Sequence, residues 1–540
     1  GAPQHGGIGF GSTRLSGPPP SGPPPPPRAP PKPRKQKQRV RFQRQIDTNI
    51  VTIPLGKLKD TVDIATGDCT FCSHCQAALS AFSVLYNHEH VQVHPALDTT
   101  KQESKSSSLP KSITVEEGQQ LWVCEFCTTH NMLELEPEEF PTKNTVDFLL
   151  SPAPTAQHNN NTSAEETCLI FVCDVSGSMC VTQEIPGKVK LKGQPNQPDL
   201  SQFLEQNQFG GAANQWFPGQ NQNTTYVSRL QAMQAALSSQ LEMLAQVYPH
   251  KRIGVVTFAS DVVIYGDGTS HPVVVAGERL SDFEHLLQAG SSATVNHAVS
   301  DTKEQLEKKI WDLSESGATA LGPAMVVAVA AAAQRTGSTV TLCTDGLANV
   351  GLGSLEDIDA NEENEKKADA FYTRIGQYAL DKGVTINVTG IEGCGCDVEH
   401  LGVMADITEG EVDKVKPMEL AKNFATALEN PVVATKAQVA MHLHRGLMFR
   451  DTEEMVDTTA TTEDNKDNKQ TTTDNSTATR VVRDIGNVTE FSDCSFEFNA
   501  RPTKELKTIG CDDLEELPFQ VQITYQKLDG ALYVRVITNV

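Results

Sequence analysis

Two groups of residues in this sequence have types and spacings that could do chemistry. The first is Asp174-Val175-Ser176-Gly177-Ser178. Its carboxylate and two hydroxyls are hard oxygen donors, the ligands that small divalent cations such as Mg²⁺ accept. Alternation places both hydroxyls on one side of the turn, and Gly177 lets the backbone fold tightly around an ion. The second is a pair of C-x-x-C knuckles, Cys72-Ser73-His74-Cys75 and Cys124-Glu125-Phe126-Cys127. Four thiolates can hold one Zn²⁺ tetrahedrally, and such a site is structural because no position is left open. Cys69, His74 and His130 compete as ligands by position, and two redox or structural thiol pairs are the other reading. Residues 99–111, between the knuckles, read as a flexible insertion.

The acidic loop ends an apolar, β-branched run, LIFVC at 169–173. Buried parallel strands look like this when they deliver polar side chains at their C-terminal edge. A D-x-S-x-S spacing at a strand end resembles the first element of the metal-ion-dependent adhesion site of von Willebrand factor A (vWA) domains. That resemblance implies two further elements, and residues matching both follow in order. Thr319 lies in GATAL (317–321), just before a helix-like run at 323–334, and Asp345 follows the apolar run STVTLC (338–343). By resemblance, the Mg²⁺ ligands are Asp174, Ser176, Ser178, Thr319 and Asp345. The hydroxyls would coordinate directly, the carboxylates directly or through water, and an Asp or Glu carboxylate of a protein partner would be the last ligand.

Residues 226–248 carry helical spacing, with Leu230, Met233, Leu237, Leu241 and Leu244 on one side. Residues 252–260 and 384–391 read as further buried strands, and 305–314, 320–334, 365–381 and 418–428 as helices. Strands alternating with helices imply a Rossmann-like, doubly wound α/β domain with a parallel sheet, over residues 166–430. Its residues 181–225, rich in Gln, Asn, Gly and Pro, read as a surface insertion or a partner-reading loop beside the metal. Past Pro431 the pattern is strands alone, at 437–444, 496–499, 519–527 and 531–540, with Gly530 turning the last pair. A β-sandwich is expected over 431–540, interrupted by an acidic, Thr- and Asn-rich segment at 451–479 that reads as disordered. Residues 61–140 are assigned to the small zinc module, 141–165 to a linker, and 45–60 to a candidate extra strand of the sandwich.

Residues 1–44 are Pro-rich and basic and read as a disordered tail. Pro27-x-x-Pro30 with Lys32 matches the spacing of an SH3-domain ligand, and equally that of a stiff basic linker. The net charge of −23 argues against nonspecific binding to nucleic acid. No run of about 18 apolar residues crosses a bilayer. The first residue is glycine, which reads as a fragment or a processed form. Thirteen cysteines, with Cys168, Cys173 and Cys343 inside strand-like runs, suit a reducing compartment. The expected location is therefore cytoplasmic, with membrane association only through partners. His297, His400, His442 and His444 sit in no motif, so no catalytic residue is assigned and no enzyme activity is expected.

The order of zinc module, vWA region and sandwich resembles the core of the inner-coat subunits of the COPII vesicle coat. The resemblance is carried by Trp122-Val123-Cys124-Glu125-Phe126-Cys127-Thr128-Thr129-His130-Asn131, a WxCxxCxxxN-like signature, and by the terminal YQ…G…RV-T hairpin. Those subunits continue into helical and gelsolin-like domains and usually have a degraded metal site, whereas the motif here is complete. The sequence resembles more closely the family of circularly permuted Ras proteins, which join a rearranged GTPase to a vWA region of this kind. No G-x-x-x-x-G-K-[ST] loop occurs in the 540 residues. The expected function is a protein-binding scaffold that reads a partner carboxylate through the metal. The alternatives are a COPII-like trafficking scaffold and the regulatory part of a circularly permuted Ras-type GTPase.

Overall fold

The run Cys168–Asp174 is buried at all seven positions. Its side chains sort by alternation. Ile170 and Val172 join one core with the helices Leu321–Ala332 and Glu362–Asp381, whereas Leu169, Phe171 and Cys173 join another with Arg229–Val247 and Leu420–Leu428. A strand covered on both faces must be apolar at every position, which is why this run does not alternate in polarity. Each such side chain contributes about 1.5–3 kcal/mol when fully buried. The structure, a computed structural model, describes residues 50–88, 92–93, 115–153, 167–186, 224–356, 358, 361–392, 398–428, 430–450, 479–511 and 516–540. The readings made above for residues 1–44, including Pro27, Pro30 and Lys32, and for 99–111, 187–223 and 451–478 lie outside these residues.

Cys168–Asp174 is the centre of a seven-stranded sheet. The spatial order is Val273–Val275, Val262–Gly266, Arg252–Phe258, Cys168–Asp174, Thr339–Thr344, Thr385–Ile391, Val412–Val415. The five strands from Arg252–Phe258 onward pair in parallel, joined through helices; Val262–Gly266 and Val273–Val275 add on antiparallel. Only three residues separate Phe258 from Val262, too few for a crossover, so that pair must be a hairpin. The helix Leu321–Ala332 is buried at all twelve positions. Gly290 of the neighbouring helix Phe283–Ser291 lets it approach, since a Cβ there would stand 2.2 Å from the Val327 carbonyl. The fold is thus the doubly wound α/β arrangement, in which successive parallel strands are added in opposite directions on either side of the junction between Cys168–Asp174 and Thr339–Thr344. That junction is where such folds open a crevice for ligands.

A five-stranded antiparallel sheet runs Arg480–Thr489, Val432–Leu443, Phe519–Gln526, Leu532–Asn539, Thr145–Ser151. It packs on a three-stranded sheet of Ile50–Pro54, Asp493–Ala500 and Leu447–Phe449. Ile53, Phe449 and Phe496 of the small sheet share a core with Val439, Met441, Ile523 and Tyr525 of the large one. Gly530 turns the last hairpin at φ 91°.

The reading of residues 141–165 as a linker is corrected here. Thr145–Ser151 is an edge strand paired antiparallel with Leu532–Asn539. Asp147 in its middle is buried, and its carboxylate oxygens accept from Arg535 Nε at 2.7 Å and Nη2 at 2.9 Å. Arg535 also donates to the carbonyls of Lys57 and Asp60, and Tyr525 donates its hydroxyl to Asp147. The counter-charge of this acid lies 388 positions away in sequence.

The helix Phe283–Ser291, the helix Val398–Thr408 and the short strand Val412–Val415 were not anticipated either, and the helix expected at 305–314 spans Val299–Trp311. A small antiparallel sheet, Gln92–Val93, Leu85–Tyr86, Gln120–Val123 and His130–Leu133, carries the cysteine knuckles. It is seated on the sandwich through Gln520, whose amide bonds both the N–H and the C=O of Ala78, and through Gln522, which donates to the Gln76 carbonyl.

Candidate metal centres

The acidic loop begins where the central strand leaves the sheet. Asp174 ends that strand at 0 % exposure, and its Oδ1 accepts the Ser176 amide at 2.8 Å. The next turn is tied down on both sides. The Val175 amide donates to the Phe258 carbonyl, the Ser316 amide to the Val175 carbonyl, and the Gly177 amide to the Gly317 carbonyl. Gly317 has a φ of +73°, and a Cβ on it would lie 2.3 Å from Ser260 Oγ, so only glycine fits that crossing. These bonds bring the loop bearing Thr319 against the loop bearing Ser176 and Ser178. Thr319 is itself held by Asn349, whose Oδ1 accepts the Thr319 amide at 2.8 Å.

Asp345 arrives on the neighbouring parallel strand, one residue past its end. Ser178 Oγ donates to Asp345 Oδ1 at 2.5 Å, and the Ser176 and Ser178 hydroxyls are 3.0 Å apart. Gly346 shows that the group converges. An ideal Cβ there would stand 3.4 Å from Thr319 Oγ1, 3.5 Å from Ser178 Oγ and 3.6 Å from Asp174 Oδ2. Three oxygens from two loops thus surround one small space at the head of a third, kept open because residue 346 has no side chain. The donor set is all oxygen, with two carboxylates and three hydroxyls, and it fits a hard divalent cation such as Mg²⁺.

Three residues beside this cradle escaped the sequence reading. Thr344 Oγ1 donates to Asp174 Oδ2 at 2.5 Å. Asn349 positions Thr319, as above. Arg229 Nη1 donates to Asp345 Oδ2 at 2.5 Å, an ion pair whose side chains are 8 % and 0 % exposed. A sequence signal for Arg229 did exist. It is the first residue of the helix Arg229–Val247, capped by Ser228 and Gln231, and a cation at that end opposes the helix dipole. Such a residue needs an anion nearby. Burial pushes the Asp174 carboxyl above the usual carboxylate range, against the donors Ser176 and Thr344, and the neighbouring Asp345 pushes the same way.

The four knuckle cysteines meet in the small sheet. Their sulfurs all lie within 4.8 Å of one another, with Cys72–Cys127 at 3.5 Å and Cys75–Cys124 at 3.6 Å. A tetrahedron with Zn–S bonds near 2.3 Å has S–S edges of about 3.8 Å, so the arrangement fits that ion. The two knuckles are alike. In each, the amide after the second cysteine bonds back to the first cysteine's carbonyl, Gln76 to Cys72 and Thr128 to Cys124, at φ of 61° and 64°. Burial would raise the Cys72 thiol, but amide donors from Cys75 and His74, with Asn131, outweigh it and leave it lowered to about 7.

Trp122 and Asn131 have physical roles in this module. Asn131 takes the Ser73 amide and hydroxyl on its Oδ1 and gives its Nδ2 to the Thr129 carbonyl, so it links the knuckles. Trp122, fully buried, donates Nε1 to Glu125 Oε2, whose other oxygen accepts from Ser80 and Ser83.

The competing ligands do not join the cluster. Cys69 packs with Ala78, Val146, Phe148 and Val534, where burial pushes its thiol up to about 12. His74 and His130 stand outside the four-sulfur group on exposed positions. The four histidines without motifs are placed elsewhere: His297 pairs with Asp267 and His400 with Asp369, while His442 and His444 are buried in the sandwich. No disulfide joins the described cysteines. Among the described residues, no helix is long and apolar enough to cross a membrane.

Residues 221–431 match the Sec23/Sec24 trunk domain family. The chain is 30% identical over 501 residues to circularly permutated Ras protein 1 of Dictyostelium discoideum, covering 92% of this chain and 50% of that protein. It therefore spans about half the length of the curated relative it matches. Similar solved structures include the human COPII-coat protein Sec24c, at 14% identity and TM-score 0.46, covering 91% of this chain and 57% of that one. A von Willebrand factor type A structure from Catenulispora acidiphila matches at 13% identity and TM-score 0.36, covering 69% of this chain and 66% of that one. The chain is thus similar to circularly permutated Ras protein 1 along nearly all of its own length, and its residues 221–431 match the Sec23/Sec24 trunk domain family.

Proposed function

We propose that the chain is a protein-binding scaffold whose vWA-type domain holds Mg²⁺ and presents it to an acidic side chain of a partner. Asp174 and Asp345 supply the negative charge, and Ser176, Ser178 and Thr319 supply neutral oxygens. When bound there, Mg²⁺ offers a carboxylate its last coordination position. The observation that carries this reading is the convergence of Thr319, Ser178 and Asp174 oxygens around the space above Gly346. Cys72, Cys75, Cys124 and Cys127 hold a structural Zn²⁺, which ties the two knuckles of the small module together. The tail, through Pro27, Pro30 and Lys32, is a further contact for an SH3 domain. Thiols without disulfides among the described residues favour a cytoplasmic location.

The trunk match at residues 221–431 favours a second reading, a COPII-like trafficking scaffold. GTP turnover, suggested by the relative's name, would make this chain the regulatory part of a longer enzyme; within the 540 residues no phosphate-binding G-x-x-x-x-G-K-[ST] loop supports it. The scaffold proposal is tested by Mg²⁺ titration of the chain and of Asp174→Ala, read by thermal shift. Stabilisation that vanishes in the variant supports the metal site, and an equal response in both defeats it.

A further inference from the structure

We propose that Arg229 is the specificity-determining residue of the oxygen cradle: it weakens the bare divalent cation and makes the occupied site require an anionic ligand. This deepens the Mg²⁺ reading above and rests on it. Among the described residues, three charged side chains meet at the cradle, Asp174, Asp345 and Arg229, and all are buried. Both oxygens of Asp345 are already engaged, Oδ1 by Ser178 and Oδ2 by Arg229. Two carboxylates and one guanidinium leave a single negative charge, so a dication overcompensates by one. Without the guanidinium, two carboxylates would neutralise the dication fully, and a further carboxylate would bring an excess negative charge into a buried site.

Arg229 is held in place by more than its ion pair. Its amide donates to the Val181 carbonyl at 3.1 Å, and the capping box of Ser228 and Gln231 sets the direction of its helix. Val181 lies just past the metal loop, where the strand Thr182–Pro186 begins to pair with Thr224–Ser228. The loop that would carry the ion and the helix that carries the competing charge are therefore fastened to each other. The guanidinium, 8 % exposed and 2.5 Å from Asp345 Oδ2, puts a positive charge beside the cradle that a ligand can cancel when a cation enters. Metal and carboxylate must then bind with positive coupling, and each strengthens the other by the same factor.

The test is calorimetric titration of Mg²⁺ into the 540-residue chain, in sodium acetate and in sodium chloride of equal ionic strength. In the unaltered chain, acetate should tighten Mg²⁺ binding by several-fold beyond the chloride control. In Arg229→Gln, Mg²⁺ alone should bind tighter, by about tenfold or more for a unit charge removed at this range in a medium of effective dielectric about 20, and the acetate effect should disappear. Arg229→Lys, which keeps the charge, should behave as the unaltered chain does. Equal affinities in acetate and chloride for the unaltered chain would overturn the proposal, and need no variant to fold. A folded Arg229→Gln chain that binds Mg²⁺ no tighter would overturn it as well. Asp174→Ala separates this from the underlying reading: if that variant still binds Mg²⁺ at full strength, the metal site itself is wrong, whatever Arg229 does.

Discussion

Gly346→Ala is the sharpest perturbation of the cradle, because it alters neither a ligand nor a charge. Its added methyl would lie 3.4–3.6 Å from Thr319 Oγ1, Ser178 Oγ and Asp174 Oδ2. Those are ordinary van der Waals distances, and Gly346 is not among the residues at positive φ, so the backbone accepts alanine without strain. Folding stability should change by no more than about 0.5 kcal/mol, with the reduced freedom of the unfolded chain favouring alanine. The methyl does, however, fill the space that an ion and its outer ligand need. At a Mg²⁺ concentration 100 times its Kd, the unaltered site should gain about 2.7 kcal/mol. For a domain of roughly 250 residues that is about 5 °C in melting temperature. The expected result is a chain that melts as the unaltered protein does without Mg²⁺ and shows none of this shift with it. A variant that keeps the full Mg²⁺ shift would place the ion elsewhere and refute the cradle.

Other perturbations test the remaining parts. Cys124→Ala should lower the zinc content from about one ion per chain to none and unfold the small sheet, as seen by elemental analysis and by proteolysis between residues 61 and 140. Arg535→Met leaves Asp147 buried without its counter-charge and should cost about 3–5 kcal/mol in urea unfolding; a loss under 1 kcal/mol would mean the pair is not buried in solution. Burial lowers His442 from 6.5 to about 3, so the unfolded chain binds the extra proton as pH falls through 6.5, and stability is full above that pH and lost progressively below it. Between pH 7 and 5 this histidine should account for about 2 kcal/mol of lost stability, and His442→Gln should flatten that slope; parallel pH profiles for the two chains would contradict the assignment.

What could be read from the sequence were features whose signal is local. The strand Cys168–Asp174 is visible because a sheet covered on both faces needs an unbroken apolar run, and its end is visible because polar residues resume at once. The cysteine knuckles are visible because a metal site made of turns keeps its ligands close in sequence. The helix Arg229–Val247 is visible through its 3.6-residue period. Features that depend on distant pairing were not readable. Thr145–Ser151 falls in the stretch read as a linker, and only the fold brings Arg535 alongside Asp147. Ile50–Pro54, expected as an extra strand of the sandwich, does join it, but that its partner is Asp493–Ala500 is decided only by the fold. Short strands such as Val412–Val415 have too few residues to show a period. The cradle divides along the same line. Its residue types were legible, but its electrostatics were not, because Arg229 meets Asp345 only when the sheet brings position 345 to the helix start at 229. Composition and period are properties of neighbours along the chain, whereas the balance of charge in a buried site is decided by which distant residues the tertiary structure sets beside one another.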